Sequence, residues 1–556
     1  MDPFERLTLC EAVRALGAGA SVAFPRTGER FTAAELDAAA TRFAHRLVAA
    51  GVRPGEVVGV LAPTSPLVLV GLLGIARAGA AASMFPAAVG LPEREAERLA
   101  PAVAAAGMRH LVVHRECLDT ARAVRALCPA VTLVGEEEGG AEGNGGELSG
   151  EGGGVGEAPE AVLPRVAPRD LAVVQFTSGS TSAPKGVMLS HATVLAGLRA
   201  IVTSAAMDRH DVMVSWVPHF HDMGLFGPLS VFFAGGRVHL VPPMDFVRRP
   251  AGLLRLLSET RATVLTGPDF SYARLAAVAT PELLAELDLS PLRLAFNGAE
   301  PVRAATVDAF VTRLAPAGLA ASAMYPVYGM AEATLAVAFP PPGAEPRVVH
   351  LDRSRLADDG LAVPVPADDP RAKALVGVGR PVEGMRLRVA GADGAPCAPG
   401  RLGEIQIAGP AVTTGYYAAP AATATAFDGP WLRTGDLGFV LDGDLFVTGR
   451  RKEMIIVNGQ NHFPEDAENL AREQPGVHRG NCVAFADDAR ERLVVAAEIA
   501  PGGDPEAVAG SIRRALAERL GIAAVHVEPV RPGGLPRTTS GKWQRGRVRD
   551  LLDARS

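Results

Sequence analysis

From Phe31 the chain FTAAELDAAATRFAHRLVAAGV sets apolar residues at helical spacing and stops at Gly51, a residue suited to follow a helix C-terminus. The pattern predicts an amphipathic helix. Short β-rich runs follow, VVGVLAP at 57–63, HLVVH at 110–114 and AVTLVG at 130–135, with helical stretches between them. Such alternation predicts an α/β fold around a mostly parallel sheet. Further β-rich runs continue from Val173. Between these regions, GEEEGGAEGNGGELSGEGGGVGEA at 135–158 holds glycine and glutamate and no basic residue, which predicts a flexible, solvated insertion, with an acidic docking loop as the alternative. Near 430–452, WLRTGDLGFVLDGDLFVTGRRK carries a hairpin-like LDGD turn and then a charge cluster, and the domain boundary is expected there. This divides the chain into a large domain over 1–449 and a small α/β domain over 453–556. No internal repeat is evident.

Length supports two domains, since 556 residues far exceed the ~250–300 at which one core stops growing. A hydrophobic fraction of 48% and a charged fraction of 21% are ordinary for a globular chain. A net charge of −6 with no long Lys/Arg tract points away from nucleic acid and from an anionic membrane, toward small molecules or proteins. Cys10, Cys117, Cys128, Cys397 and Cys482 are scattered without CxxC spacing, so neither a disulfide framework nor a zinc site is expected. The longest apolar stretch, Leu67 to Ala76, ends at Arg77, short of the ~20 residues a membrane helix needs. The first ten residues include Asp2 and Glu5 and do not read as a signal peptide. A cytoplasmic protein without a transmembrane segment is expected.

The sharpest chemical signal is FTSGSTSAPKGVMLSH at 176–191, between the strand-like LAVVQ and a helical pattern. Small hydroxylated residues and glycines let backbone amides and hydroxyls approach phosphate oxygens, and Lys185 adds a positive charge. The spacing is not that of GxxxxGK[ST], which excludes a Walker loop. By itself the segment could also be an ordinary Ser/Gly/Thr loop.

TSGST followed by PKG resembles the signature loop of the acyl-adenylate-forming superfamily of acyl-CoA synthetases, adenylation domains and luciferases. WVPHFHDMGL (216–225), FNGAEPV (296–302), YGMAEAT (328–334), WLRTGDLG (431–438), GRRKEMIIVNGQNHFPEDAE (449–468) and PRTTSGK (536–542) match in the superfamily's order. The resemblance implies a large N-terminal domain of α/β layers with a distorted barrel portion, and a small mobile C-terminal domain. It implies ATP and Mg²⁺ as cofactors. Thr177, Ser178, Gly179, Ser180, Thr181 and Lys185 would hold the triphosphate. Gly298, Ala299, Glu300 and Pro301 would lie along the adenine, and Tyr328, followed by Gly329, Met330 and Ala331, would stack on it. Glu332, with Thr177, would hold Mg²⁺. Asp436 and Arg450 would bind the ribose, Lys542 would be the adenylation lysine, and Lys452, within a hinge at 450–452, would be the pivot of the small domain. Without the motifs, each would pass for a core, loop or surface residue. A substrate carboxylate would attack the α-phosphorus in line, and charge neutralisation and positioning would supply the catalysis without a protein nucleophile.

HDMGL at 221–225, NGAEPV at 297–302, Ala331 and NHFP at 461–464 resemble one branch, the fatty acyl-AMP ligases. So does the long interval before GRPVEGM, about 340–378, which resembles the branch's extra segment, thought to restrain the small domain and disfavour coenzyme A. The resemblance implies transfer of the acyl group to the phosphopantetheine arm of a separate acyl carrier protein, in polyketide, peptide or lipid biosynthesis. An acyl-CoA or aryl-CoA synthetase is the alternative, and a catalytically silent nucleotide-binding scaffold a third reading. Trp216, His221, Met223, Phe226, Phe270 and Met324 are expected to line the acyl pocket. His219 reads as structural or solvated. Ser182 and Asp269 depart from the residues common at their positions.

Overall fold

The computed structural model describes residues 6–17, 19–87, 90–135, 161–177, 184–457, 460–487, 490, 492–537 and 543–553. The helix expected after Phe31 is Ala33–Ala49, opened by a capping box in which the Thr32 hydroxyl accepts from the Glu35 amide and the Glu35 carboxylate accepts from the Thr32 amide. Gly51, just past its end, has φ of 94°. The apolar run 67–76 is the buried helix Pro66–Arg77. No described helix is long and apolar enough to cross a membrane.

Two mostly parallel sheets form the large domain. One orders Thr132–Gly135, His110–Val113, Val57–Leu61, Ala81–Phe85 and Leu171–Thr177 in parallel, with Lys185–Ser190 antiparallel at its edge. The other runs Met324–Pro326, Leu294–Asn297, Val264–Gly267, Val212–Ser215, Arg237–Leu240, Ser21–Phe24, with Glu29–Thr32 as its antiparallel edge. Continuous apolar strands such as Val57–Leu61 and Val264–Gly267 are buried at every position, as helices on both faces require. One core joins the inner faces of both sheets, and a second packs the helices Pro250–Glu259, Asp269–Val278 and Ala304–Leu314 on the other side of the second sheet.

An antiparallel sheet of Arg386–Ala390, Gly403–Ala408, Trp431–Leu441 and Asp444–Arg450 follows. The LDGD turn is the two-residue hairpin loop expected from the sequence, with Asp442 and Gly443 at φ of 52° and 88°. Beyond it, the strands Val477–Asp487, Arg492–Ile499 and Val525–Val530 carry helices Pro464–Arg472 and Pro505–Leu520 around their own core.

The interval 340–378 contributes strands Val348–Asp352 and Ala372–Val376 and helix Arg353–Asp358. It lies against the smaller unit. Lys373 Nζ is 2.9 Å from Asp466 Oδ1, with both side chains buried, and 3.9 Å from the Phe463 ring centroid. Asn461 Nδ2 donates to the Ala357 carbonyl at 3.2 Å. Phe463 fills a cluster with Leu351, Leu356, Phe439 and Phe446. Residues 136–160, nearly all of the Gly/Glu-rich insertion, lie outside the described residues.

Candidate active site

Of the sequence-predicted residues, Tyr328, Glu332, Asp436, Arg450 and Lys185 come together where the strand ends of the second sheet meet the antiparallel sheet. Tyr328 opens the short strand Tyr328–Gly329, which pairs with Ala336–Phe339. The turn between them is tight enough that a Cβ on Gly329 would lie 2.0 Å from the Leu335 carbonyl oxygen, so only glycine fits. The same turn holds Glu332.

The Tyr328 hydroxyl donates to Asp436 Oδ2 at 2.6 Å, and Arg450 Nε donates to Asp436 Oδ1 at 3.1 Å. A bulge between Leu437 and Gly438 shifts the register of the hairpin so that Asp436 faces Arg450. Burial and the Asp436 carboxylate both push the Tyr328 phenol well above its ordinary range, so it stays a donor. Asp436 in turn raises the already cationic Arg450.

Glu332 Oε1 accepts from the Tyr416 hydroxyl at 2.9 Å. Burial raises its carboxyl, and the Tyr416 hydrogen bond and the Arg450 charge oppose that. Lys185 Nζ lies 5.2 Å from the Tyr416 ring centroid. Tyr416 is therefore a functional candidate that sequence reasoning missed. It is placed by a bridge to Val187 and by the Tyr417 amide donating to Gly186. The available signal was GYY at 415–417, with no motif to flag it.

On the other wall, a Cβ on Gly298 would meet Val327 Cγ2 at 2.8 Å and Met223 Cε at 3.4 Å. Ala299 adopts φ of 67°. Glu300 Oε1 accepts from the Phe270 amide at 2.6 Å. Lys452 is exposed at the turn Arg451–Glu453. Ser178, Gly179, Ser180, Thr181, Ser182 and Lys542 lie outside the described residues, as does the side chain of Thr177.

The expected acyl-pocket residues do not form one group. Trp216 stacks on Phe246 at 4.0 Å and meets Phe270 edge-on at 6.0 Å, and Met324 belongs to the same cluster. Phe246 was not anticipated. Phe226 is fully buried in the core on the opposite face of the sheet, because the helix Asp222–Phe233 presents it there. His221 stands at the N-cap position of that helix without a side-chain cap bond, its ring 4.6 Å from Phe220. His219 is buried rather than solvated, and desolvation lowers it to about 4, so it is neutral at physiological pH. Asp269 holds Arg303 Nε at 2.6 Å, Thr306 Oγ1 at 2.9 Å and Asn297 Nδ2 at 3.3 Å, which makes it an anchor between helices.

The sequence model of the family described as "AMP-binding enzyme" matches residues 12–417. A medium-chain-fatty-acid acyl-carrier-protein ligase, JamA, of Moorena producens is 36% identical over 68% of this chain and 67% of its own length. A long-chain-fatty-acid AMP ligase, FadD32, of Mycolicibacterium smegmatis is 34% identical over 67% of each chain. The aligned stretch thus spans about two thirds of these curated relatives. In a structural study of fatty acyl-adenylate ligases from E. coli and L. pneumophila, one chain superposes with a TM-score of 0.89 at 28% identity, covering 100% of both chains. With the family model matching well over half of its residues and that fold shared end to end, this chain belongs to the AMP-binding enzymes.

Proposed function

We propose that the chain uses ATP to convert a fatty or related acyl acid into acyl-AMP, releasing pyrophosphate, and then passes the acyl group to the phosphopantetheine thiol of an acyl carrier protein. The cytoplasm is its place of action. The observation that carries this reading is a pair of contact groups, Tyr328–Asp436–Arg450 and Glu332–Tyr416–Lys185, brought side by side by the turn that carries both Tyr328 and Glu332. The arrangement offers carboxylate acceptors for ribose hydroxyls and an aromatic face for a base. Lys185 adds a cation for phosphate.

In this reading, Thr177 to Thr181 and Lys185 cradle the triphosphate, Gly298 to Pro301 and Tyr328 to Ala331 frame the adenine, and Lys542 neutralises charge developing at the α-phosphorus. Glu332 fits a magnesium ion that keeps phosphate and water oxygens as its other ligands, as magnesium does with one or two carboxylates. It does not fit a resident metal cage, because among the described residues no group of three or more His, Cys, Asp or Glu is arranged to hold an ion. When bound, the ion would neutralise phosphate charge. Residues 1–449 form the large domain and 453–556 the small one, with the hinge at 450–452. The 340–378 insertion, pinned by Lys373–Asp466 and Asn461–Ala357, supports acceptor choice in favour of the carrier. The names of the two curated relatives, one acting with an acyl carrier protein and one an AMP ligase, support the same assignment.

The test supplies ATP, a panel of acids, a phosphopantetheinylated carrier and coenzyme A. Carrier loading with little acyl-CoA is expected. Efficient acyl-CoA formation without carrier loading would establish the synthetase alternative, and no ATP–pyrophosphate exchange with any acid would return the silent scaffold.

A further inference from the structure

Arg545 begins the helix Arg545–Asp553, three residues after Lys542. Its side chain is only 17% exposed and is surrounded by three carboxylates. Nη1 donates to Glu453 Oε2 at 2.7 Å, Nη2 donates to Glu468 Oε1 at 2.8 Å, and Glu465 Oε1 lies 3.7 Å from Nη2. Glu453 closes the turn Arg451–Glu453, immediately after Lys452. Glu465 sits against the end of the strand Asp444–Arg450 that leads into that turn, since a Cβ on Gly449 would be 3.4 Å from its Oε2.

The cluster is a poor choice if stability were its only use. Burying three acids around one guanidinium carries desolvation costs that packed apolar side chains of similar size would avoid. What the charges supply is directionality. A planar fork gripping two acids from different elements fixes their relative position more tightly than apolar contact does. Here the two acids come from the hinge turn, Glu453, and from the helix Pro464–Arg472, Glu468, and the fork comes from the helix just past Lys542, 92 residues from Glu453 in sequence. The preceding flank is held as well, because the Arg537 guanidinium stacks on Trp543 at 3.5 Å and donates to Asn481 Oδ1 at 2.8 Å.

We infer that Arg545 is a positioning residue for adenylation: through Glu453 it fastens the hinge turn to the helix that follows Lys542, so that rotation is confined to 450–452 and the lysine returns to one place with each swing. The inference rests on the proposed roles of Lys542 and Lys452. It makes the hinge turn part of the small domain from Glu453 onward.

The test uses Glu453→Gln, which keeps an acceptor and shape but removes the charge, together with Arg545→Lys and Arg545→Met in the full chain. Three quantities are read: ATP–pyrophosphate exchange with its kcat and KM for ATP, single-turnover transfer from synthetic acyl-AMP to carrier, and the melting temperature. Misplacing a catalytic group by about 1 Å costs up to ~100-fold, so Glu453→Gln is expected to lower exchange kcat ten- to about hundredfold with KM for ATP within about twofold. Transfer from acyl-AMP and the melting temperature should stay near wild type. Arg545→Lys should recover part of the exchange lost in Arg545→Met. Wild-type exchange in Glu453→Gln would overturn the inference, and so would parallel loss of exchange, transfer and melting temperature in both conservative variants, which marks a structural role. Lys542→Ala is run alongside. If it retains full exchange, the reading of Lys542 fails; if it is inactive while Glu453→Gln is normal, only the positioning role fails.

Discussion

The Asp436 carboxylate accepts from Tyr328 at 2.6 Å and from Arg450 at 3.1 Å, so each oxygen is oriented by one donor and keeps a lone pair for a ribose hydroxyl. The two contacts differ in what their loss would leave behind. Tyr328→Phe keeps the aromatic face and removes one charge-assisted hydrogen bond, worth about 1.5–3 kcal/mol, and is expected to raise KM for ATP by no more than roughly tenfold to hundredfold. Asp436→Ala strands a buried hydroxyl and a guanidinium together and should lower kcat/KM for ATP by more than about 100-fold. Equal effects of the two substitutions in steady-state kinetics would contradict this ranking. Asp269 illustrates the opposite kind of residue. Its carboxylate, 1% exposed, is paired with Arg303, so Asp269→Ala should cost about 3–5 kcal/mol and depress the melting temperature, and Asp269→Asn should cost less. An unchanged melt in the alanine variant would remove the anchor role. Sequence alone singled out Tyr328, Glu332, Asp436 and Arg450 because they sit in recognisable motifs. It could not identify Tyr416 or Phe246, because each acquires its role from a neighbour distant in the chain, Glu332 and Trp216 respectively.

At the scale of elements, hairpins and caps were legible and registers were not. LDGD announces its two-residue turn, yet the regular register from that turn would place Asp436 opposite Gly449; the bulge at Leu437 and Gly438 is what brings Arg450 across. Nothing in the local residue types demands that bulge. The insertion was visible as extra length, whereas its grip on Asp466 through Lys373 needed the tertiary fold. Lys373→Met removes a buried cation and leaves Asp466 with Arg353 Nε at 3.7 Å. It should loosen the small unit and raise acyl-CoA formation several-fold while exchange stays within about twofold; unchanged acceptor preference in product analysis would exclude the insertion from that choice. Glu465 adds a pH signature. Burial pushes it up to about 7, with Glu468 acting in the same direction and Arg545 and Lys373 opposing, while Glu453 shares Arg545 and Gly449 packs beside it. A raised folded-state pKa means the native form holds the proton more tightly than the unfolded chain. The stabilising contribution is therefore complete below about 4.5 and is lost as pH rises through about 7. The melting temperature should fall across that window more steeply in wild type than in Glu465→Gln, and parallel profiles would contradict the assignment.

For the whole molecule, the question is how two units with separate cores communicate. The smaller unit buries Ile455, Cys482, Leu493, Ile512, Leu516 and Val527 among themselves, apart from the cores of the large unit. Across the boundary run a few anchored contacts: Lys373–Asp466, Asn461 to the Ala357 carbonyl, Arg353 donating to the Arg519 carbonyl at 3.3 Å, and Phe463 in its aromatic cluster. Units with their own cores unfold separately unless their interface is strong, so calorimetry without nucleotide should resolve two transitions. Lys373→Met should lower one of them and leave the other in place, identifying the lower as the small unit. A non-hydrolysable acyl-AMP analogue at 100 times its Kd should stabilise the large unit by about 2.7 kcal/mol. If Lys542 reaches that ligand from the small unit, the analogue should also raise the second transition in wild type, and Lys542→Ala should abolish this second effect while keeping the first. One cooperative transition, insensitive in shape to Lys373→Met and to the analogue, would mean that the boundary contacts weld the units into a single folding body, and rotation at 450–452 would then have to break those contacts in every catalytic cycle.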